Sequence, residues 1–266
     1  MITVDRELCI NCGACVAVCP AAILGMTDEG PEAIKKCGCI KCGHCVAVCP
    51  VAALDHEKTP LQYQIDIKPE LMISEEQAEQ FLRSRRSIRN YKKEKVSKEK
   101  IEHLLDVARM AQTGGNSQGT DFVVIESPEL METLKSEVVA FMQVALESNP
   151  AMRGYKRIIE GYAKGEDPIF RGAPQLIFTL NNEDAPIRQA NGQFTLTYAE
   201  LFAPAIGLGT CWAGFFMWYA TAQAEKVKTL LNIPVEKKIT AAVMVGIPQY
   251  DYKRLPAREE LKIIWQ

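Results

Sequence analysis

The chain has 266 residues, a net charge of −2 and an apolar fraction of 47%, which is an ordinary globular composition long enough for one small module and one domain of about 190 residues. The near-neutral balance carries no electrostatic footprint for nucleic acid. One uncharged stretch, residues 201–224, is long enough to cross a bilayer, but Pro204, Gly207, Gly209, Thr210 and Gly214 interrupt it, so it reads as helix, turn and buried strand rather than a membrane span.

The N-terminal region carries nearly all of the sulfur, with nine of the ten cysteines before residue 50. Cys9-Ile-Asn-Cys12-Gly-Ala-Cys15-Val-Ala-Val-Cys19-Pro20 is repeated thirty residues on as Cys39-Ile-Lys-Cys42-Gly-His-Cys45-Val-Ala-Val-Cys49-Pro50. The spacing C-x2-C-x2-C-x3-C-P is the bacterial run for cubane iron–sulfur clusters, whose fourth cysteine ligates the other cluster. Cys9, Cys12, Cys15 and Cys49 are therefore expected to hold one 4Fe–4S cluster, and Cys39, Cys42, Cys45 and Cys19 the other. Gly13 and Gly43 allow the tight turns between the first three thiolates, and Pro20 and Pro50 block further backbone pairing past the last. Paired zinc knuckles would not need two runs of four with a proline. Disulfides would need an oxidising compartment, and no signal-peptide pattern precedes Cys9. Cys37 is read as a spectator and His44 as solvent-facing. Oxygen-sensitive clusters point to the cytoplasm of an anaerobe.

Residues 1–57 form this cluster module, too small for a core of its own and stapled by the clusters. Residues 58–73, bounded by Pro60 and Pro69, read as an extended linker, and 74–266 as a second domain. Ser74, with Gln77 three residues later, caps a helix expected to run to about Tyr91. Ser97 caps another, with an apolar stripe at Ile101, Leu104, Leu105 and Ala108, ended by Gly114-Gly115. A strand over 122–125 precedes a helix from Ser127-Pro128 to about Glu147. Residues 149–173 read as a mobile helix-loop able to cover a site, with Tyr155, Lys156 and Tyr162 as candidate proton donors. A strand over 175–180, a buried helix over 194–206, a strand over 211–217, a helix over 222–231 and a strand over 240–245 complete the domain. The tail from Pro248 is suited to wrapping a partner subunit.

Arg85-Arg86-Ser87-Ile88-Arg89 is the chemical mark of the second domain. On a helix, Arg85 and Arg89 share one face, and guanidinium forks with a hydroxyl suit a phosphate. The motif resembles the FMN-phosphate signature of the nitroreductase family. Thr113-Gly114-Gly115-Asn116-Ser117-Gln118-Gly119-Thr120-Asp121-Phe122 is similar to that family's Pro-Ser-Ser-x-Asn-x-Gln-Pro-Trp-x-Phe segment. Gly207-Leu-Gly209-Thr-Cys211-Trp212-Ala213-Gly214-Phe215 resembles its turn beneath the isoalloxazine ring, and Arg254-Leu255-Pro256 its C-terminal Arg-Leu-Pro. Four segments in order span residues 74–266, so the whole chain resembles a ferredoxin–nitroreductase fusion. The implied fold is α+β: a dicluster ferredoxin-like domain, then a mainly antiparallel sheet flanked by helices, with a tail that wraps a homodimer partner.

The resemblance also implies roles. Arg85, Ser87, Arg89 and Arg254 would hold the FMN phosphate, and Arg86 would touch the pyrimidine edge. Thr113, Gly114, Asn116 and Gln118 would reach the flavin of the partner subunit. Ala213 and Gly214 would present N–H groups to the central ring, beside Trp212. Gln112-Thr113 and Gly119-Thr120 depart from the family pattern, and Ala213 stands where some members carry a glutamate used for nicotinamide. The expected protein is an FMN oxidoreductase fed through its clusters by a ferredoxin or by NAD(P)H. It would reduce a small electron-poor acceptor such as a nitroaromatic, quinone or activated alkene, with no catalytic residue identified. The alternative is an electron-transfer or redox-sensing module that passes electrons to a protein partner.

Overall fold

The structure, a computed structural model, describes residues 2–183 and 189–266. It divides into two compact units, residues 1–72 with 115–117, and residues 73–114 with 118–266.

The first unit is built twice from the same sequence. Strand β1 (Ile2–Val4) pairs antiparallel with β4 (Leu54–His56), and β2 (Leu24–Thr27) with β3 (Gly30–Ala33). Two four-residue helices, α1 (Ala14–Ala17) and α2 (His44–Ala47), follow Gly13 and Gly43, each at φ +74°. A side chain is strained at such a backbone angle, which is why glycine stands between the second and third cysteine of each run. Asn11 and Lys41, and likewise Ala22 and Ala52, repeat the left-handed conformation thirty residues apart. The apolar centre is little more than Cys15, Leu24, Val46 and Leu54, far short of what a domain of this size needs to stand without staples.

The second unit is organised around a four-stranded antiparallel sheet in the order β5 (Asp121–Ile125), β6 (Gln175–Asn182), β8 (Lys237–Gly246), β7 (Gly209–Trp212). The period-two alternation of β6 and β8 divides the core between two faces. Leu176, Phe178, Ala242 and Met244 point to one side, against α5 (Pro128–Ser148) and α8 (Gly214–Ala222) through Leu134, Val138, Phe216 and Tyr219. Ile177, Ala241, Val243 and Val245 point to the other, against α4 (Lys98–Ala108) and α7 (Gln189–Phe202) through Ile101, Leu104, Leu196 and Ala199. Helices cover both faces, so the central strands are apolar on both sides over residues 176–178 and 241–245.

Helix α3 (Glu75–Ser84) starts at the expected capping box, with Ser74 and Gln77 bonded reciprocally. It stops at Ser84, not at Tyr91. From Arg85 to Asn90 the chain is non-helical, because Ile88 N–H donates to Thr210 O on β7 and Tyr91 bridges to Pro248. The expected strand over 211–217 is also corrected. Strand β7 ends at Trp212, and Gly214 opens α8, which with α9 (Ala224–Leu231) replaces the single helix expected over 222–231. Residues 149–173 hold a helix and turns, as expected. A 3₁₀ turn over Pro150–Tyr155 and helix α6 (Lys156–Ala163) pack there, with Tyr155 on Phe215 and Trp218, and the Tyr162 hydroxyl donates to Glu132 at 2.8 Å.

Candidate functional site

In the first unit the eight run cysteines are sorted into two sets. One small cavity is lined by Cys9, Cys12, Cys15 and Cys49, and another by Cys39, Cys42, Cys45 and Cys19. The fourth thiol of each set comes from the other run. Backbone donors serve the two returning sulfurs alike: Ile23 N–H reaches Cys19 Sγ at 3.3 Å and Ala53 N–H reaches Cys49 Sγ at 3.2 Å. At Cys19 burial is outweighed by the N–H groups of residues 21–24, which hold its thiol below the ordinary range, whereas burial pushes Cys15 and Cys45 up. Among the described residues no three His, Cys, Asp or Glu side chains converge closely enough for a single metal ion. Four thiols around a cavity, rather than around a point, fit a cluster and not a lone zinc ion. Cys37 and His44 are exposed.

In the second unit the extended geometry of residues 85–90 decides which side chains act together. Successive side chains of an extended chain alternate. Ser84, Arg86 and Ile88 line a cleft of about 460 Å³ together with Glu200, Gly209, Thr210, Pro248 and Tyr252. Ser87 and Arg89 instead lie beside the buried Cys211, with Arg171 near by. Arg85, two residues before Ser87, meets Glu200 at 3.7 Å. Ser87 and Arg89 therefore stand in the i, i+2 relation of an extended chain on the Cys211 side, and Arg85 reaches Glu200 at the rim of the cleft. Arg86 is the odd member. Its guanidinium lies 5.3 Å above the Tyr252 ring and donates to Arg254 O, while its Nε is buried with no hydrogen-bond partner. Arg254 itself is exposed, and its carbonyl is what meets Arg86.

Burial raises the Glu200 carboxyl despite Arg85 and the Thr210 hydroxyl. Burial also raises the Cys211 thiol, over the opposing influence of Arg89, which leaves it an inert core group. Burial raises Tyr91, whose hydroxyl donates to Ile88 O at 2.6 Å. At the end of β7, Trp212 is 38% exposed and Ala213 fully enclosed. Ala213 N–H donates to Ala242 O at 2.9 Å. The donor left at this turn is Gly214, at the start of α8, where the first N–H groups of a helix lack partners within it.

The 113–120 segment is fastened from below by side chains with no motif to announce them. Asn191, buried in α7, accepts from Gly114 N–H at 3.0 Å, and Asn181 Nδ2 donates to Gly119 O and Thr120 Oγ1. Thr113 Oγ1 accepts from Gln118 N–H at 3.1 Å. Asn116 groups with the first unit, where its amide donates to the carbonyls of Ile40 and Lys41. Arg171, Glu200, Asn181 and Asn191 were not foreseen from sequence. Arg171 sits at φ +60° before Gly172, and the asparagines stand in polar stretches of sequence and give no signal.

These arrangements define a flavin-dependent oxidoreductase fold joined to an iron–sulfur module. Residues 82–247 match the family model described as the nitroreductase family, and residues 1–50 match the 4Fe-4S dicluster domain. The chain belongs to the nitroreductase family. It is 28% identical over 200 residues to an NADH dehydrogenase of Thermus thermophilus, covering 68% of this chain and 92% of that protein. It is 24% identical over 177 residues to an iodotyrosine deiodinase of Thermotoga neapolitana, covering 66% and 91%. Among solved structures, a nitroreductase with bound FMN from Desulfitobacterium hafniense superposes with a TM-score of 0.58 at 21% identity, covering 73% of this chain and all of the other. Among the described residues no helix is long and apolar enough to cross a membrane.

Proposed function

We propose that this chain is an FMN-dependent oxidoreductase that receives single electrons through two 4Fe–4S clusters and reduces an electron-poor organic acceptor such as a nitroaromatic, quinone or activated alkene. The observation that carries the reading is that one chain holds two four-thiol cavities of crossed origin and, separately, an arginine-rich edge beside β7. Cys9, Cys12, Cys15 and Cys49 hold one cluster, and Cys39, Cys42, Cys45 and Cys19 the other. Arg85, Ser87 and Arg89 supply forked and hydroxyl donors for the FMN phosphate, with Arg254 from the tail. Arg86, whose Nε lacks a partner, has a donor to give to an acceptor atom of the ligand. Gly214 N–H would supply a hydrogen bond at the ring, which tunes where electrons enter. Trp212 and the 113–118 segment complete the surroundings, the latter across a homodimer interface. Bound FMN supplies the exchange between one-electron and two-electron chemistry.

Covalent attachment of the cluster module raises its effective concentration at the flavin domain. Ala213 occupies the position at which some family members place a nicotinamide-associated glutamate, which favours a ferredoxin-like donor over NAD(P)H. The test uses the anaerobic holoprotein and a full-length Cys12→Ala, Cys42→Ala variant that retains FMN. Reduced ferredoxin is expected to drive acceptor turnover in the first and not the second. Equal turnover of both with NADH or NADPH, with none from ferredoxin, overturns the entry route. Cluster and flavin reduction without turnover of any small acceptor would instead make the chain an electron-transfer module for a protein partner.

A further inference from the structure

We propose that His56 donates a hydrogen bond to the cluster ligand Cys39 and thereby sets the reduction potential of the cluster on Cys39, Cys42, Cys45 and Cys19 above that of its twin. The proposal rests on the two-cluster reading above.

His56 is the last residue of β4, paired with Ile2 and only 4% exposed. Its Nε2 lies 3.6 Å from Cys39 Sγ. Its Nδ1 accepts the Lys58 N–H at 3.0 Å. An imidazole nitrogen that accepts a hydrogen bond carries no proton, so the ring proton of the neutral side chain sits on Nε2 and faces the sulfur. The tautomer is thus fixed by a backbone group on the far side of the ring, the arrangement by which outer partners orient metal-site histidines.

The repeat supplies an internal comparison. β2 and β4 correspond thirty residues apart, with Leu24 matched to Leu54, both buried, and Met26 matched to His56. The Met26 side chain has no N–H to donate, and the residue is 44% exposed. Cys9, the counterpart of Cys39, has its sulfur 3.4 Å from Asn11 Oδ1, an acceptor. The backbone donors to Cys19 and Cys49 match to within 0.1 Å and so do not distinguish the two halves. His44, matched to Ala14, also lines the second cavity, but it is exposed and water screens it. Lys41 N–H also reaches Cys39 Sγ at 3.4 Å, but from an exposed turn, so His56 is the buried difference. One-electron reduction adds negative charge that the cysteine sulfurs share, and a proton directed at sulfur stabilises the reduced form more than the oxidised. Hydrogen bonds to sulfur are among the terms that set such potentials. Electrons taken up by the module then settle first on the cluster beside His56.

The experiment is an EPR-monitored redox titration, with dithionite as the one-electron reductant, of the anaerobically purified holoprotein and its His56→Met, His56→Gln and His44→Ala variants, each checked for iron content. His56→Met is expected to lower one cluster potential by at least a tenfold change in the reduction equilibrium, which is 59 mV for one electron, and to leave the other within a threefold change. His56→Gln, which keeps a side-chain donor, is expected to shift less, and His44→Ala to stay within a threefold change at both. Unchanged potentials in His56→Met, or equal shifts of both clusters, overturn the proposal. A second measurement needs no variant: wild-type protein labelled with ¹⁵N-histidine should show nitrogen modulation in the pulsed EPR of the first cluster to be reduced. Its absence refutes the contact even if His56→Met loses iron. Iron near four per chain, or stoichiometric zinc, would instead sink the two-cluster reading itself, so the two failures are distinguishable.

Discussion

Replacing Gly192 with alanine sets helix propensity against packing and makes the sign of the outcome diagnostic. In an open mid-helix position, alanine would stabilise the protein by about 1 kcal/mol over glycine. Gly192 lies in α7 where it crosses β6 and β8, and an added Cβ would meet Thr240 Oγ1 at 2.1 Å, Thr179 Oγ1 at 2.4 Å and Asn181 Oδ1 at 3.0 Å. Those three groups form a buried ladder, with Thr179 Oγ1 to Thr240 Oγ1 at 3.0 Å and Thr240 Oγ1 to Asn181 Oδ1 at 2.7 Å. If the hydroxyls rotate away, they lose partners inside the core, at about 1–3 kcal/mol each. If α7 backs off instead, overpacking costs about 1–3 kcal/mol and disturbs Asn191, which holds Gly114. Set against the propensity gain, a net loss of about 2 kcal/mol is expected, or about a 1 M fall in urea midpoint at a slope of about 2 kcal/mol/M. The three tryptophans, Trp212, Trp218 and Trp265, all lie in the second unit, so their fluorescence reports on that unit. A midpoint that stays level or rises would refute the close packing of α7 on the polar ladder.

Cys19→Ala is expected to lower iron from about 8 to about 4 per chain and to remove the cluster of the second run, and loss of the Cys9-run cluster instead would disprove the crossover. Arg85→Glu and Arg89→Glu should each weaken FMN retention by about tenfold to a hundredfold, the value of a charged hydrogen bond of about 1.5–3 kcal/mol, measured as flavin released on dialysis; undiminished flavin would contradict the phosphate role. Burial raises the folded-state Glu200 carboxyl, so its contribution is fully present below the unfolded value of about 4.3 and is lost as pH rises through the higher folded value. Glu200→Gln should flatten the urea-midpoint profile of the flavin-free protein between pH 4 and 7, and a profile parallel to wild type would show that the carboxyl is not the group responsible.

Much of the architecture was legible because it is local. The Ser74/Gln77 capping box and the Ile101, Leu104 and Ala108 stripe depend on contacts within a few residues, and both stand where the pattern put them. The cysteine spacing even carried a long-range statement, that Cys19 and Cys49 change places, because the backbone of each run leads its last thiol away from the first three. The errors fall where a distant partner decides. Residues 211–217 form an apolar run with no period to choose strand or helix, and the choice is made at Ala213 by its bond to Ala242 on β8. The fastening of the 113–120 segment by Asn181 and Asn191 was illegible for a related reason. A buried asparagine has no periodic signature, and its meaning resides in the carbonyls and N–H groups that the fold brings to it.

The arginine motif shows how backbone geometry decides which side chains act together. A helix through Tyr91 would put Arg85 and Arg89 on one face and turn Ser87 to the other, since two helical residues are about 200° of rotation. Pairing of Ile88 with Thr210 at the edge of β7 extends the chain instead. Extension is what brings Ser87 and Arg89 together beside Cys211, and it is also what sends Arg86 across to Tyr252 and the Arg254 carbonyl. The polar residues of this one segment thus serve two surfaces. Gly209 secures this, because a Cβ there would stand 2.6 Å from Ile88 and 2.8 Å from Pro248. With any larger residue at 209, Ile88 could not lie against β7, the segment would lift from the sheet edge, and the separation of Arg86 from Ser87 and Arg89 would be lost. The glycine in Gly207-Leu-Gly209-Thr is accordingly needed less for the turn it follows than for the close approach of the arginine segment that it permits.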